Sequence, residues 1–273
     1  MESDRPSAMP RHQRMRDLQL SRRADLWDVE RAVRVRSGTQ PVEVVGEIAL
    51  FGDPTTYPTE REIGGLARNG CAVGLGVAPG CSPTTVQFDR LLALARTRDV
   101  RVIGRVGLDH SAPPTDWPRQ DLLLKRVLGR CLDGRHHRIL CLEVSGVQGD
   151  VAGEECHYRV LDILRLSRVS KEQRLLLADY ASTEAVATAY LRHFPRTYFS
   201  VTSRVTGFTA DQRKGLRFIA TNEDRRLLMG SNGPDYPPAG YPVGAPHLLW
   251  ATAVAVGQVS REAEDGATGM SHG

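Results

Sequence analysis

One pattern recurs along almost the whole chain: a short apolar run, a junction rich in Gly, Pro or Asp, then a longer stretch with helical spacing. The apolar runs fall at 44–51, 71–77, 100–108, 138–144, 174–177, 197–202 and 226–229. Between and after them, 84–96, 117–132, 153–166, 183–193, 210–222 and 246–258 carry apolar residues three and four apart, the spacing of one helix face. Short, nearly continuous apolar strands alternating with helices imply a parallel sheet covered on both faces. Seven such strands are read directly, and an eighth is expected near Met15 to Leu20. About eight such units in 273 residues favour a closed (β/α) barrel over an open sheet. The expected organisation is a polar, basic leader over 1–14, one barrel domain over 15–260 and a disordered polar tail over 261–273.

Composition narrows the class. With 41% hydrophobic and 25% charged residues, the chain can bury a core. Its mean hydropathy is −0.31, and no apolar run approaches the ~20 residues of a membrane-spanning helix. The first residues lack the apolar segment of a secretory signal, so an intracellular location, cytoplasmic or nuclear, is expected. The net charge is +4, with Lys125, Lys171 and Lys214 as the only lysines, so arginine supplies nearly all the positive charge. That balance permits a nucleic-acid partner without arguing for one. Cys71, Cys81, Cys131, Cys141 and Cys156 are odd in number and form no CxxC, which fits a reducing compartment rather than a disulfide or zinc framework. Cys71 and Cys141 read as small core residues.

Several candidate sites reduce to ordinary structure. Gly74-Leu-Gly76-Val-Ala-Pro-Gly80 imitates a dinucleotide-binding turn, but its third glycine is one residue late and Pro79 intrudes. It reads instead as a close-packed strand entering a turn. Ser145 lacks the glycine that a nucleophile elbow needs two residues earlier. His136 and His137 are adjacent and point apart on an extended chain. The informative residues are the polar ones at the expected C-terminal strand ends, where this architecture places active sites: Asp53, Arg105, Asp109 with His110, Glu143, Asp179, Ser203 and Asn232. A metallohydrolase should gather histidines and carboxylates there. This set mixes acids with an arginine and an amide.

The same residues carry a family resemblance. Val106-Gly-Leu-Asp109 resembles a GEIGLD strand end, Phe194-Pro-Arg-Thr-Tyr-Phe199 an FPNTYF strand, and Arg226-Leu-Leu-Met-Gly-Ser-Asn-Gly-Pro234 an LLLETDAP strand. Phe51-Gly-Asp-Pro54 and Gly76-Val-Ala-Pro79, the latter resembling GIHP, follow in the right order. From about Val42 to Gln258 the chain resembles the TatD-like metal-dependent DNases, particularly their animal branch. The resemblance implies a TIM-like (β/α) barrel of the metal-dependent hydrolase type. It also implies phosphodiester hydrolysis by two divalent metal ions held by histidines, a glutamate and an aspartate. By the same resemblance, those ligand positions are occupied here by Asp17, Gln19, Arg105, Glu143, Ala178 and Asn232.

A guanidinium at 105 opposes metal binding, Ala178 has no donor atom, and the amide of Asn232 is no general base. The expectation is a catalytically degenerate TatD-like protein without a bound cofactor, in which Arg105 and Glu143 pair across the former metal cavity. The other readings are an active nuclease with a rearranged oxygen-ligand site using Asp17, Glu143 and Asp109, and a binding or scaffolding barrel. Asp109, His110 and Glu143 form the candidate residual site. Single-stranded DNA or another nucleic acid is the expected partner class.

Overall fold

The computed structural model describes residues 27–34, 43–132, 138–147, 149–150, 152–222 and 226–230. Eight strands close into a barrel in chain order: β1 (Trp27–Arg34), β2 (Glu43–Phe51), β3 (Cys71–Leu75), β4 (Val100–Asp109), β5 (Ile139–Ser145), β6 (Arg174–Ala178), β7 (Thr197–Val201) and β8 (Leu227–Gly230). The outer layer is formed by α1 (Glu60–Arg68), α2 (Thr85–Ala95), α3 (Trp117–Cys131), α4 (Glu154–Leu166), α5 (Glu184–His193) and α6 (Ala210–Asn222). Strands β2 to β8 are parallel, each paired with the next.

The eighth strand corrects the expectation placed on 15–20. Trp27–Arg34 fills the gap between β8 and β2, antiparallel to both. Its sequence, WDVERAVR, largely alternates apolar and charged residues, the signature of an antiparallel strand. A search for continuous apolar runs finds parallel strands buried on both faces and passes over this one. The expected leader at 1–14, the strand at 15–20, the helix at 246–258 and the tail at 261–273 lie outside the described residues.

Two apolar layers hold the barrel. Inside it, Leu50, Val102, Cys141 and Leu176 pack together, with Ile48, Ile139, Ala178, Tyr198 and Leu228 around them. Outside, Val73, Leu75, Ile103, Leu142, Leu177 and Phe199 meet helix residues such as Phe88, Leu91, Val127, Val160 and Tyr190. Gly74 belongs to the inner layer: a Cβ there would collide with Leu50 and sit 3.0 Å from Val102 Cβ. That close approach is the structural use of the glycine-rich run 74–80. All five cysteines are free, and Cys71 and Cys141 are buried.

Helix starts are set by local chemistry. Thr59 with Glu62 and Thr84 with Gln87 form reciprocal capping boxes at α1 and α2. Thr183 caps α5, and Thr209 with Gln212 makes the same exchange before α6. Each cap sits just beyond the C-terminal end of a strand, so it fixes where the chain turns away from that end of the barrel. Among the described residues no helix is long and apolar enough to cross a membrane.

Candidate functional site

At the C-terminal ends of the parallel strands, β4 departs from regular pleating. Ile103 pairs with Leu140 and Val106 with Leu142, so three residue steps on β4 oppose two on β5. This is a β-bulge, and Arg105 carries it with φ 54°, a left-handed conformation costly for a residue with a Cβ. Ile103, Val106 and Leu108 remain in the outer core, whereas a Cβ on Gly104 would meet Leu50 and Cys141 of the inner layer. Arg105 therefore turns inward beside Gly104 rather than out toward the helices. Its stem lies over Gly52, where an added Cβ would sit 2.8 Å from Arg105 Cβ and 3.3 Å from Ala78 Cβ.

The guanidinium reaches the neighbouring strand. Arg105 Nε donates to Glu143 Oε2 at 3.1 Å and Nη2 donates to Oε1 at 3.0 Å. The side chains are 17% and 33% exposed, so this bidentate pair is only partly screened by water. Glu143 stands in register between Gly107 of β4 and Ala178 of β6. Gly107 has no side chain and Ala178 has no polar atom. A Cβ at Gly107 would run into the Glu143 carbonyl, so the two backbones are as close as glycine permits.

A second pair lies one strand further on. Asp179 follows β6 in a left-handed turn with φ 48°. It accepts from Thr202 Oγ1 at 2.6 Å and from Arg204 Nη1 at 2.5 Å, and its own N–H donates to Ser200 Oγ at 3.1 Å. Burial pushes its carboxyl above the usual range and the Glu143 charge adds to this, while Arg204 and Thr202 pull the other way. Sequence reasoning selected Ser203 at this strand end and passed over Thr202 and Arg204, the residues that meet Asp179. The signal available was the run Thr-Ser-Arg following the strand.

The remaining acids are engaged in their own turns. Asp53 Oδ1 accepts from the N–H and hydroxyl of Thr55, both at 2.8 Å. Asp109 Oδ1 accepts from the N–H and hydroxyl of Ser111 at 3.0 and 2.5 Å. The fully buried Gln120 brackets the Asp109 backbone, accepting from its N–H at 2.7 Å and donating to its carbonyl at 2.9 Å. His110 is buried, with its ring stacked on Trp117 at 4.0 Å, and burial lowers its pKa. Cys81 feels Asp53, Arg105 and Glu143, and burial holds its thiol above the ordinary value, away from nucleophilic thiolate.

Among the described residues no three His, Cys, Asp or Glu side chains form a group able to hold a metal ion. Asp109, His110 and Glu143, expected as a residual site, are all described, and each has its own partner: Glu143 pairs with Arg105. His110 packs under Trp117, and Asp109 closes its own turn. Asp17, Gln19, His136, His137 and Asn232 lie outside the described residues.

The sequence matches the family model for TatD-related DNases over residues 53–268. No curated protein matches it. Among solved structures, the fold is similar to a TatD-family hydrolase from Entamoeba histolytica, with TM-score 0.58, 13% identity and coverage of 78% of this chain and 77% of that one. It is also similar to an uncharacterized amidohydrolase from Saccharomyces cerevisiae, with TM-score 0.52, 13% identity and coverage of 74% and 79%.

Proposed function

The chain belongs to the TatD-related DNase family, and from that premise we propose that it is a member without metal-dependent nuclease activity, whose barrel mouth is held by ion pairs. The observation that carries this reading is the bidentate Arg105–Glu143 pair. By the family resemblance these two residues occupy a glutamate and a histidine ligand position, and Ala178 occupies another. The described donors do not fit a metal centre: both Glu143 oxygens face a guanidinium, and both Asp179 oxygens are engaged by Thr202 and Arg204. A guanidinium ~4 Å from a divalent ion would oppose it by roughly 8 kcal/mol at an effective dielectric of ~20. The five free cysteines support an intracellular, reducing setting.

The test is cleavage of end-labelled single-stranded DNA with Mg²⁺, Mn²⁺ or Zn²⁺, run with Glu143→Ala beside wild type. The expected result is no metal-dependent cleavage by either and no rise in melting temperature with metal, because an ion bound only by the native state would stabilise it. Cleavage by wild type that Glu143→Ala abolishes would overturn the proposal and establish an oxygen-ligand site rebuilt around Arg105.

A further inference from the structure

We propose that nucleic acid binds the end of the barrel opposite the mouth, on an arginine rim at the N-terminal ends of the strands. Each of the five consecutive strands β4 to β8 carries an arginine at its start or within one residue of it: Arg101, Arg138, Arg174, Arg196 and Arg226. Because the strands are parallel, these positions come together at one end of the barrel. The ladder sets them side by side: Arg174 pairs with Ile139, the residue after Arg138. The N–H of Leu175 donates to the Arg196 carbonyl, and that of Phe199 to the Arg226 carbonyl. Neighbouring strands are ~4.8 Å apart, so the exposed Arg101 and Arg174 flank the buried Arg138, while Arg196 pairs with Glu172 and Arg226 donates to the Pro195 and Thr197 carbonyls.

Basic residues at helix C-termini, such as Arg165 and Arg192, share this end, and the helix dipole accounts for them. It does not account for arginines on strands. Arg101, Arg168, Lys171 and Arg174 are exposed and have no acidic partner among the described residues. The acids at this end include Glu172 paired with Arg196, Asp99 with Arg98 and Asp162 with Arg165, and Glu43 opens β2 there. Assembling like charges without partners costs stability, and a polyanion would offset that cost. Phosphate is the fitting anion, since a guanidinium fork binds it bidentately. Of the exposed large hydrophobics, only Leu166 lies at this end, so the apolar face of an interfacial membrane binder is lacking among the described residues. The helix first turns at the opposite end carry Glu60, Glu62, Glu154, Glu155, Glu184 and Asp211, which would repel phosphate there.

The experiment is anisotropy of a labelled 20-nucleotide single-stranded DNA titrated with the full chain at several salt concentrations. Wild type should bind with a steep salt dependence. Arg101→Gln/Lys171→Gln/Arg174→Gln should weaken binding about tenfold or more at low salt and flatten the log–log slope by about 2, the value for three lost phosphate contacts. Arg61→Gln/Lys125→Gln/Lys214→Gln removes the same net charge elsewhere and should stay within about twofold. Arg101→Lys/Arg174→Lys keeps the charge and should retain most binding, which separates a lost surface from a lost fold. Salt-insensitive or absent DNA binding, equal loss in both triple variants, or binding of phosphatidylserine vesicles in place of DNA would overturn the proposal.

Discussion

At the C-terminal ends of the strands, acids and arginines are neighbours that neutralise each other; at the N-terminal ends, Arg196 has an acid partner in Glu172 but the exposed Arg101 and Arg174 have none among the described residues. Arg105 meets Glu143 and Arg204 meets Asp179, each in hydrogen-bonding contact and partly withdrawn from water. Arg101 and Arg174 instead face solvent. The same residue type thus does two physical jobs. Inside the mouth, a guanidinium fills space and satisfies a carboxylate that would otherwise be buried unpaired. On the rim it generates a field, which solvent and salt screen within ~8 Å at physiological ionic strength. Substitutions at the two ends should therefore differ in size, and at the weak end in sign.

The largest effect is expected at Glu143. Glu143→Ala removes the carboxylate that accepts from the Arg105 guanidinium, whose side chain is 17% exposed and whose stem lies over Gly52. Breaking a fully buried pair costs about 3–5 kcal/mol; partial exposure here places the cost at about 2–3 kcal/mol, read as a lower urea midpoint. Arg105→Ala/Glu143→Ala should recover part of that loss, giving a favourable coupling between the two sites in a double-mutant cycle. Additive losses would mean that the pair contributes nothing beyond packing, and the contrast between the two ends would fail.

The largest acid sensitivity should come from the layer between sheet and helices, with the smaller burial of His110 at the mouth acting in the same direction. His157 of α4 is fully enclosed near the Tyr180 and Tyr190 rings, its Nδ1 has no hydrogen-bond partner, and burial lowers its pKa to about 3. An unfolded histidine titrates near ~6.5. Above that pH both states are neutral and the group contributes nothing to pH dependence. As pH falls from ~6.5 toward 3 the unfolded chain takes up a proton that the native chain refuses, and stability drops by at most about 1.4 kcal/mol per pH unit. Denaturant melts of wild type and His157→Phe between pH 7 and 4 should show this slope in the first and a flatter line in the second. Equal slopes would return the acid sensitivity to the carboxylates of the mouth.

What the sequence reveals of this molecule follows the physics of burial. Strands β2 to β8 are continuous apolar runs because the helices cover them, and their limits fall within a residue or two of the expected ones. Helix α1 was not among the expected helices: only Ile63 and Leu66 are large apolar residues in it, and its local signal was the Thr59–Glu62 capping box. At the site, opposite charges at 105 and 143 on adjacent strands were visible as letters. The bulge that turns Arg105 inward was not, since nothing in a run such as Ile-Gly-Arg-Val marks the arginine, rather than the glycine before it, as the left-handed residue. The rim went unremarked for another reason. Its arginines lie 20 to 40 residues apart in sequence, and only parallel pairing brings them together.

That left-handed arginine gives a smaller and more specific prediction. Arg105→Gly and Arg105→Ala both remove the guanidinium, but only glycine occupies φ 54° without strain. The glycine variant should be more stable than the alanine variant by about 1 kcal/mol, the reverse of the order in a regular strand. Equal stabilities would mean that the bulge relaxes once the pair is gone, so that the ion pair holds the backbone rather than the backbone presenting the arginine.

The smallest effect belongs to the rim. Arg174 opens β6 and is exposed, in register beside the strand that follows Arg138, with nearby Glu172 engaged by Arg196. Removing its charge relieves repulsion, so Arg174→Gln should change stability by no more than about 0.5 kcal/mol, toward stabilisation at low salt. Raising the salt should stabilise wild type slightly and erase its difference from the variant, because screening does for the whole rim what the substitution does at one position. A destabilisation comparable to that of Glu143→Ala would show Arg174 to be a packing residue of the barrel floor. The strand ends would then differ in charge but not in function.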